Sequence, residues 1–289
     1  MTNTTAFETA RYYVELQWLE RFHDWRRADR WMADHYEVPA AFCVGYLVVI
    51  FVLQRAMRDR KPFDLSGPLF WWNSLLAAFS IFGAIATVPY ILQEVLHGAG
   101  ASADMCLYYT EAKNPWVYLF CLSKIPELVD TLFIVLRKRP LIFLHYYHHA
   151  LTLVYAWNAW ALSLPNGGWF AAMNLIVHSL MYSYYAACAR GVRFSQATRQ
   201  AITSLQIIQM VAGTSIVIHN VLRCNDTPLS NMAGLVMYVS YMVLFTKLFI
   251  DSYVIAKPRA PREKKAEAKK ATENDELAQQ AGPARKKVE

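Results

Sequence analysis

Charge is what this chain has least of. Of its 289 residues 18% are Asp, Glu, Lys or Arg, against about 25% in a typical soluble domain, while 55% are hydrophobic. The deficit is local: long blocks carry almost no charge, and the charges gather at the two ends and in short breaks between blocks. That layout excludes an ordinary soluble domain and fits a polytopic membrane protein. A basic stripe with interleaved aromatics is missing too. The net charge of +7 owes much to residues 257–289, where ten Lys/Arg face six Asp/Glu, a surplus of four, so no nucleic-acid partner is expected. The five cysteines, Cys43, Cys106, Cys121, Cys188 and Cys224, form no CxxC pair and no metal-ligand spacing. No internal repeat is visible. The first forty residues lack the short apolar core and cleavage site of a signal peptide, so none is expected there.

What is present is a series of apolar runs near the ~20 residues that cross a bilayer. They lie at 38–56, 68–93, 115–136, 141–162, 168–189, 200–222 and 232–255. The sequence therefore predicts an all-α membrane protein with seven transmembrane helices. The third and fourth runs carry several polar groups, and polar residues inside a bundle face its interior. Residues 1–37 form an N-terminal segment holding an amphipathic surface helix, 38–255 the transmembrane domain, and 256–289 a solvated, disordered tail. Arg55, Arg58, Arg60 and Lys61 follow run 1, Arg137, Lys138 and Arg139 follow run 3, and Arg190, Arg193 and Arg199 follow run 5. The positive-inside rule puts those breaks and the tail in the cytosol and the N-terminus in the lumen.

Asn3-Thr4-Thr5 and Asn225-Asp226-Thr227 have the form of glycosylation acceptors and share the expected lumenal side. Cys106 and Cys224 fall on that oxidising side as well and are expected to pair as a disulfide. The final Lys286-Lys287-Val288-Glu289 has the dilysine form of a retrieval signal, which places the protein in the endoplasmic reticulum membrane.

Four consecutive runs each carry polar residues at helical spacing. Lys124, Glu127, Asp130 and Thr131 stand in run 3, where the charges can partly neutralise one another. His145, His148 and His149 share one face of run 4. Asn174, His178, Tyr182 and Tyr185 lie in run 5, with Met181 beside them, and Thr203, Gln206 and Gln209 in run 6. Three imidazoles on one face are costly to bury unless they have a function. The stripes converge most simply on one interior chamber, which three chemistries could use. A His-box oxidase or desaturase would need about twice the clustered histidines, so no metal is expected. A transporter of an acyl or carboxylate solute would be expected to show a repeat or broken helices in matching positions. Acyl-group chemistry needs a His nucleophile or base and Lys, Asn or Gln to hold carbonyls and phosphates, all of which are present.

Ser123-Lys124-Ile125-Pro126-Glu127-Leu128-Val129-Asp130-Thr131 resembles the KxxExxDT motif of the very-long-chain fatty acid elongases, the 3-ketoacyl-CoA synthases. His145–His149 resembles their HxxHH box, Asn174 to Tyr185 their NxxxHxxMYxYY, and Thr203 to Gln209 their TxxQxxQ, in the family's order. Asn114-Pro115-Trp116 through Lys138, with Gly167–Phe170, is most similar to the saturated and monounsaturated branch. The resemblance implies condensation of a long-chain acyl-CoA with malonyl-CoA to 3-oxoacyl-CoA, CO2 and CoA, without a cofactor. It implies six helices in an inverted barrel around a narrow substrate tunnel, with the seventh alongside. It implies membrane lipid around the chain and, as protein partners, a second copy and the ketoreductase, dehydratase and enoyl reductase of the elongation cycle. Soluble condensing enzymes use a Cys nucleophile, whereas here the cysteines of the runs lie outside every motif. The expectation is a ping-pong route with His148 or its neighbour His149 as nucleophile. His178 would act at the developing enolate, His145, Asn174 and Gln206 at the thioester oxygen, and Arg199 among the cations that meet the CoA phosphates.

Overall fold

A computed structural model describes residues 25–97, 115–164, 166–223 and 227–255. Asn3, Cys106, Cys224, Asn225 and the tail lie outside them, so the sequons, the disulfide and the retrieval signal do too. Among the described residues the regular structure is entirely helical. In chain order the helices are α1 (Trp25–Asp34), α2 (Glu37–Ala56), α3 (Ser66–His97), α4 (Pro115–Glu127), α5 (Val129–Leu136), α6 (Phe143–Ala161), α7 (Gly167–Ala189), α8 (Gln196–Arg223) and α9 (Pro228–Phe249). The chain divides into two units, Met1–Phe249 and Ile250–Glu289. The second opens with a π-helical turn, Ile250–Val254.

Among the described residues four helices are long and apolar enough to cross a membrane: Glu37–Ala56, Ser66–Pro89, Gln196–Arg223 and Pro228–Val254. Helices also stand at the other three expected crossings, but their polar side chains or their length keep them below that standard. The run 115–136 is split into helices of 13 and 8 residues. Pro126 has no N–H to bond to the carbonyl four residues back. The ladder then tightens, with Leu128 N–H bonded to Ile125 O and Thr131 N–H to Leu128 O. Helices α6 and α7 keep full length, 19 and 23 residues, and carry the His, Asn and Tyr stripes.

Within the first unit α3 packs along α7, α7 along α8, α8 along α9, α9 along α6, α6 along α4 and α4 along α3. Those pairings close a ring whose order differs from chain order. Helices α1 and α2 join it through α6, and α2 also meets α5. Charged and polar side chains are buried inside the fold, and many apolar ones face outward. Val44, Val52, Trp71, Ile85, Ile208 and Leu222 are exposed, while Lys124, Glu127, Asn174 and His178 are buried. An outer surface that apolar suits lipid rather than water. At the start of α3, Ser66 donates both its N–H and its hydroxyl to Asp64, and these bonds hold the exposed Asp64 carboxyl below its usual range.

Candidate active site

The polar stripes meet inside the ring as three connected networks. In the first, Lys124 Nζ donates to Glu127 Oε1 at 2.7 Å and to Asn174 Oδ1 at 3.1 Å. Asn174 Nδ2 lies 3.1 Å from His178 Nε2, and Ser123 donates to Glu127 at 2.9 Å. The Lys124 ammonium also sits 4.1 Å above the Phe120 ring. A buried ion pair survives only when its remaining polar valences are met. Here Asn174 and Ser123 meet several of them, and the pair thereby ties α4 to α7.

The second network is built on Asp130. Trp72 Nε1 donates to one carboxylate oxygen at 2.6 Å and Tyr182 OH to the other at 2.8 Å. Sequence reasoning commits Asp130 to Lys124, but the structure gives its carboxylate to an indole from α3 and a phenol from α7. The third network starts outside the ring. Tyr46 of α2 shares a 2.8 Å hydrogen bond with Thr131, and Thr131 shares one of 3.0 Å with His145 Nε2.

These networks surround the histidine box. The His145 and His149 rings lie 4.4 Å apart, and His149 stands perpendicular to His148 at 5.5 Å. His148 is flanked by Tyr241 at 4.9 Å and Phe245 at 6.1 Å, while its carbonyl accepts from Tyr241 OH at 3.1 Å. Beside it opens a narrow cavity. His148, Asn174 and Gln209 contribute polar side chains to its wall, while Phe120, Ala156, Phe170 and Met237 are among its apolar lining. Of the four predicted histidines, His148 is the one that lines the cavity; His145, His149 and His178 stand behind it.

The remaining candidates are placed unevenly. Gln206 bonds Met181 Sδ at 3.3 Å, and Thr203 gives its hydroxyl to Arg199 O of its own helix. Tyr185 is exposed on α7, one turn past Tyr182. Arg199 is exposed too and donates to Phe194 O at 3.0 Å, so neither is brought to the cavity. Sequence reasoning misses Tyr46, Trp72 and Tyr241. The available signal is a polar-tipped aromatic within an otherwise apolar run. It misses Cys121 as well, which lines the cavity one turn before Lys124. Among the described residues no group of three or more His, Cys, Asp or Glu could hold a metal ion.

Compared with known families, residues 31–262 match the model of the GNS1/SUR4 (ELO) family, a range that takes in all four motifs. The chain belongs to the ELO family. Its similarity to individual members is broad as well as specific. It is 39% identical to fatty acid elongase 3 of Trypanosoma cruzi, covering 83% of this chain and 94% of that one. It is 40% identical to very long chain fatty acid elongase 6 of Drosophila melanogaster, over 79% of this chain and 76% of that protein. The corresponding mouse protein is 39% identical, over 87% and 96%. The ELO match thus spans the histidine box, the cavity wall and the three networks around them.

Proposed function

We propose that this ELO protein catalyses the condensing step of fatty acid elongation, in which a long-chain acyl-CoA and malonyl-CoA give 3-oxoacyl-CoA, CO2 and free CoA. The observation that carries this reading is His148 in the wall of a largely apolar cavity. The wall runs along one face of α6 from His148 to Trp160, about 18 Å of helix. That is a place for a thioester at one end and its acyl tail along the rest. The ring of six paired elements supports an inverted barrel with α2 beside it, crossing the membrane seven times. The Lys/Arg-rich breaks support an endoplasmic reticulum enzyme with its N-terminus in the lumen.

In the first half-reaction a lone-pair nitrogen of His148 attacks the thioester carbonyl. The C–S bond breaks, and CoA leaves as the thiol with the proton the imidazole gives up. Malonyl-CoA then loses CO2, and the electron pair of that C–C bond forms the new bond to the acyl carbon. The acyl–nitrogen bond breaks, and the imidazole takes up a proton from solvent to restore neutral His148. Asn174 and Gln209 line the same cavity as His148 and are the groups assigned to steady the developing oxyanion, and no cofactor takes part.

The test is free CoA measured from purified protein and an acyl-CoA, with and without malonyl-CoA. Release approaching one equivalent without malonyl-CoA, and turnover to 3-oxoacyl-CoA with it, is expected; no product from any acyl-CoA would overturn the reading. Because Cys121 also lines the cavity, Cys121→Ala is the necessary companion and should keep CoA release. Its loss would move the nucleophile to the thiol.

Tyr46 adds a second prediction. Its hydroxyl is the outer end of the bonds through Thr131 to His145, while its ring packs with Ile50, Leu128 and Leu153. Tyr46→Phe keeps that packing and removes one hydrogen bond of about 0.5–1.5 kcal/mol. Elongation should slow roughly two- to tenfold with unchanged folded yield; an unchanged rate would show that Thr131 positions His145 without it.

A further inference from the structure

Tyr155 forms part of the cavity wall without entering the chemistry above. It follows His148 by seven residues on α6, about 10 Å along the axis, level with the middle of an acyl chain held at His148. Behind it stands Gly234 of α9. A Cβ added at Gly234 would collide with the Tyr155 hydroxyl and come within 2.8 Å of Cζ and 3.2 Å of Cε2. Tyr155 is therefore seated in the space that the glycine leaves open.

What keeps it there is mainly fit. Among the described residues the polar side chain near the hydroxyl is Asn166, at a distance too long for a strong hydrogen bond. The ring packs at 6.4 Å from Phe170, which packs at 4.7 Å from Tyr238, and both of these also line the cavity. A displaced Tyr155 has helix α9 on one side and the cavity on the other, so it moves into the cavity. The arrangement recurs at Tyr238, because a Cβ at Gly213 would collide with its ring.

We infer that the Gly234–Tyr155 pair sets the acyl-chain length this protein accepts, by fixing how far the tyrosine stands out of the bore. The inference rests on the condensing function proposed above. Beyond Tyr155 the cavity continues past Ala159 and Trp160 to Gly167, and a chain must pass the tyrosine to use that space. A hydrophobic pocket that loses room for one methylene discriminates by about tenfold or more.

The experiment is the ratio of kcat/KM for two saturated acyl-CoAs, the longest that wild type elongates well and one four carbons shorter. Gly234→Ala should lower the long-to-short ratio about tenfold while still elongating the shorter chain. Adding Tyr155→Leu in the same molecule should restore the ratio, and Tyr155→Leu by itself should raise it. An active wild type whose ratio stays the same in all three variants would overturn the gauge. A wild type inactive on every chain length would overturn the condensing function and the gauge with it. If Gly234→Ala accumulates no folded protein, the Tyr155→Leu ratio decides: a rise supports the gauge and no change defeats it.

Discussion

Alanine at position 148 should abolish the release of CoA from acyl-CoA, by about 10⁴-fold or more, in a protein that still folds. The size of the effect follows from the role: removing the nucleophile removes the group that forms the bond to the acyl carbon. The expectation of folding follows from the surroundings. His148 faces a cavity, and what anchors it to Tyr241 includes a bond to its backbone carbonyl, which alanine retains. A mutant that binds acyl-CoA but releases no CoA, with or without malonyl-CoA, is the expected result. One that turns over once malonyl-CoA is added would demote His148 from nucleophile to base. His149 provides the contrast. It is buried among the other two box histidines, so alanine there should lower folded yield as well as rate.

The histidine box and its neighbours were legible because helical spacing is a strong signal. Residues at i, i+3 and i+4 share a face, so the Lys124–Glu127 pair could be read directly and appears in the structure as an i, i+3 salt bridge. Partners that arrive from other helices could not be read that way. Asp130 is held by side chains 58 and 52 positions away, and Tyr46 reaches Thr131 across 85. Helical periodicity marks the face but not what packs on it. It also overreaches at helix ends. Tyr185 shares the face of Asn174 by angle but lies one turn past Tyr182, where the stripe has left the interior. The break between α4 and α5 had a visible cause in Pro126, yet the apolar run continues across it, so composition alone gave one helix.

Removing Glu127 should destabilise the fold far more than removing Lys124 and Glu127 together. Both groups are buried, and a buried charge that loses its counter-ion typically costs about 3–5 kcal/mol. Glu127→Leu should therefore lower Tm in detergent by on the order of 10 °C, with a matching fall in folded yield. The double variant Lys124→Met/Glu127→Leu exchanges the pair for apolar side chains of similar length and should recover most of that loss. It should not recover elongation, because Lys124 Nζ also donates to Asn174, the residue that contacts His178 and lines the cavity beside His148. Without that donor the Asn174 amide keeps only its contact with His178, and the hold on the thioester oxygen proposed for it should weaken. Tm and CoA release measured on the three variants separate the two roles. Recovery of stability without activity places the pair in both the fold and the chemistry. Recovery of both would reduce Lys124 to scaffolding and leave Asn174 oriented by His178 alone.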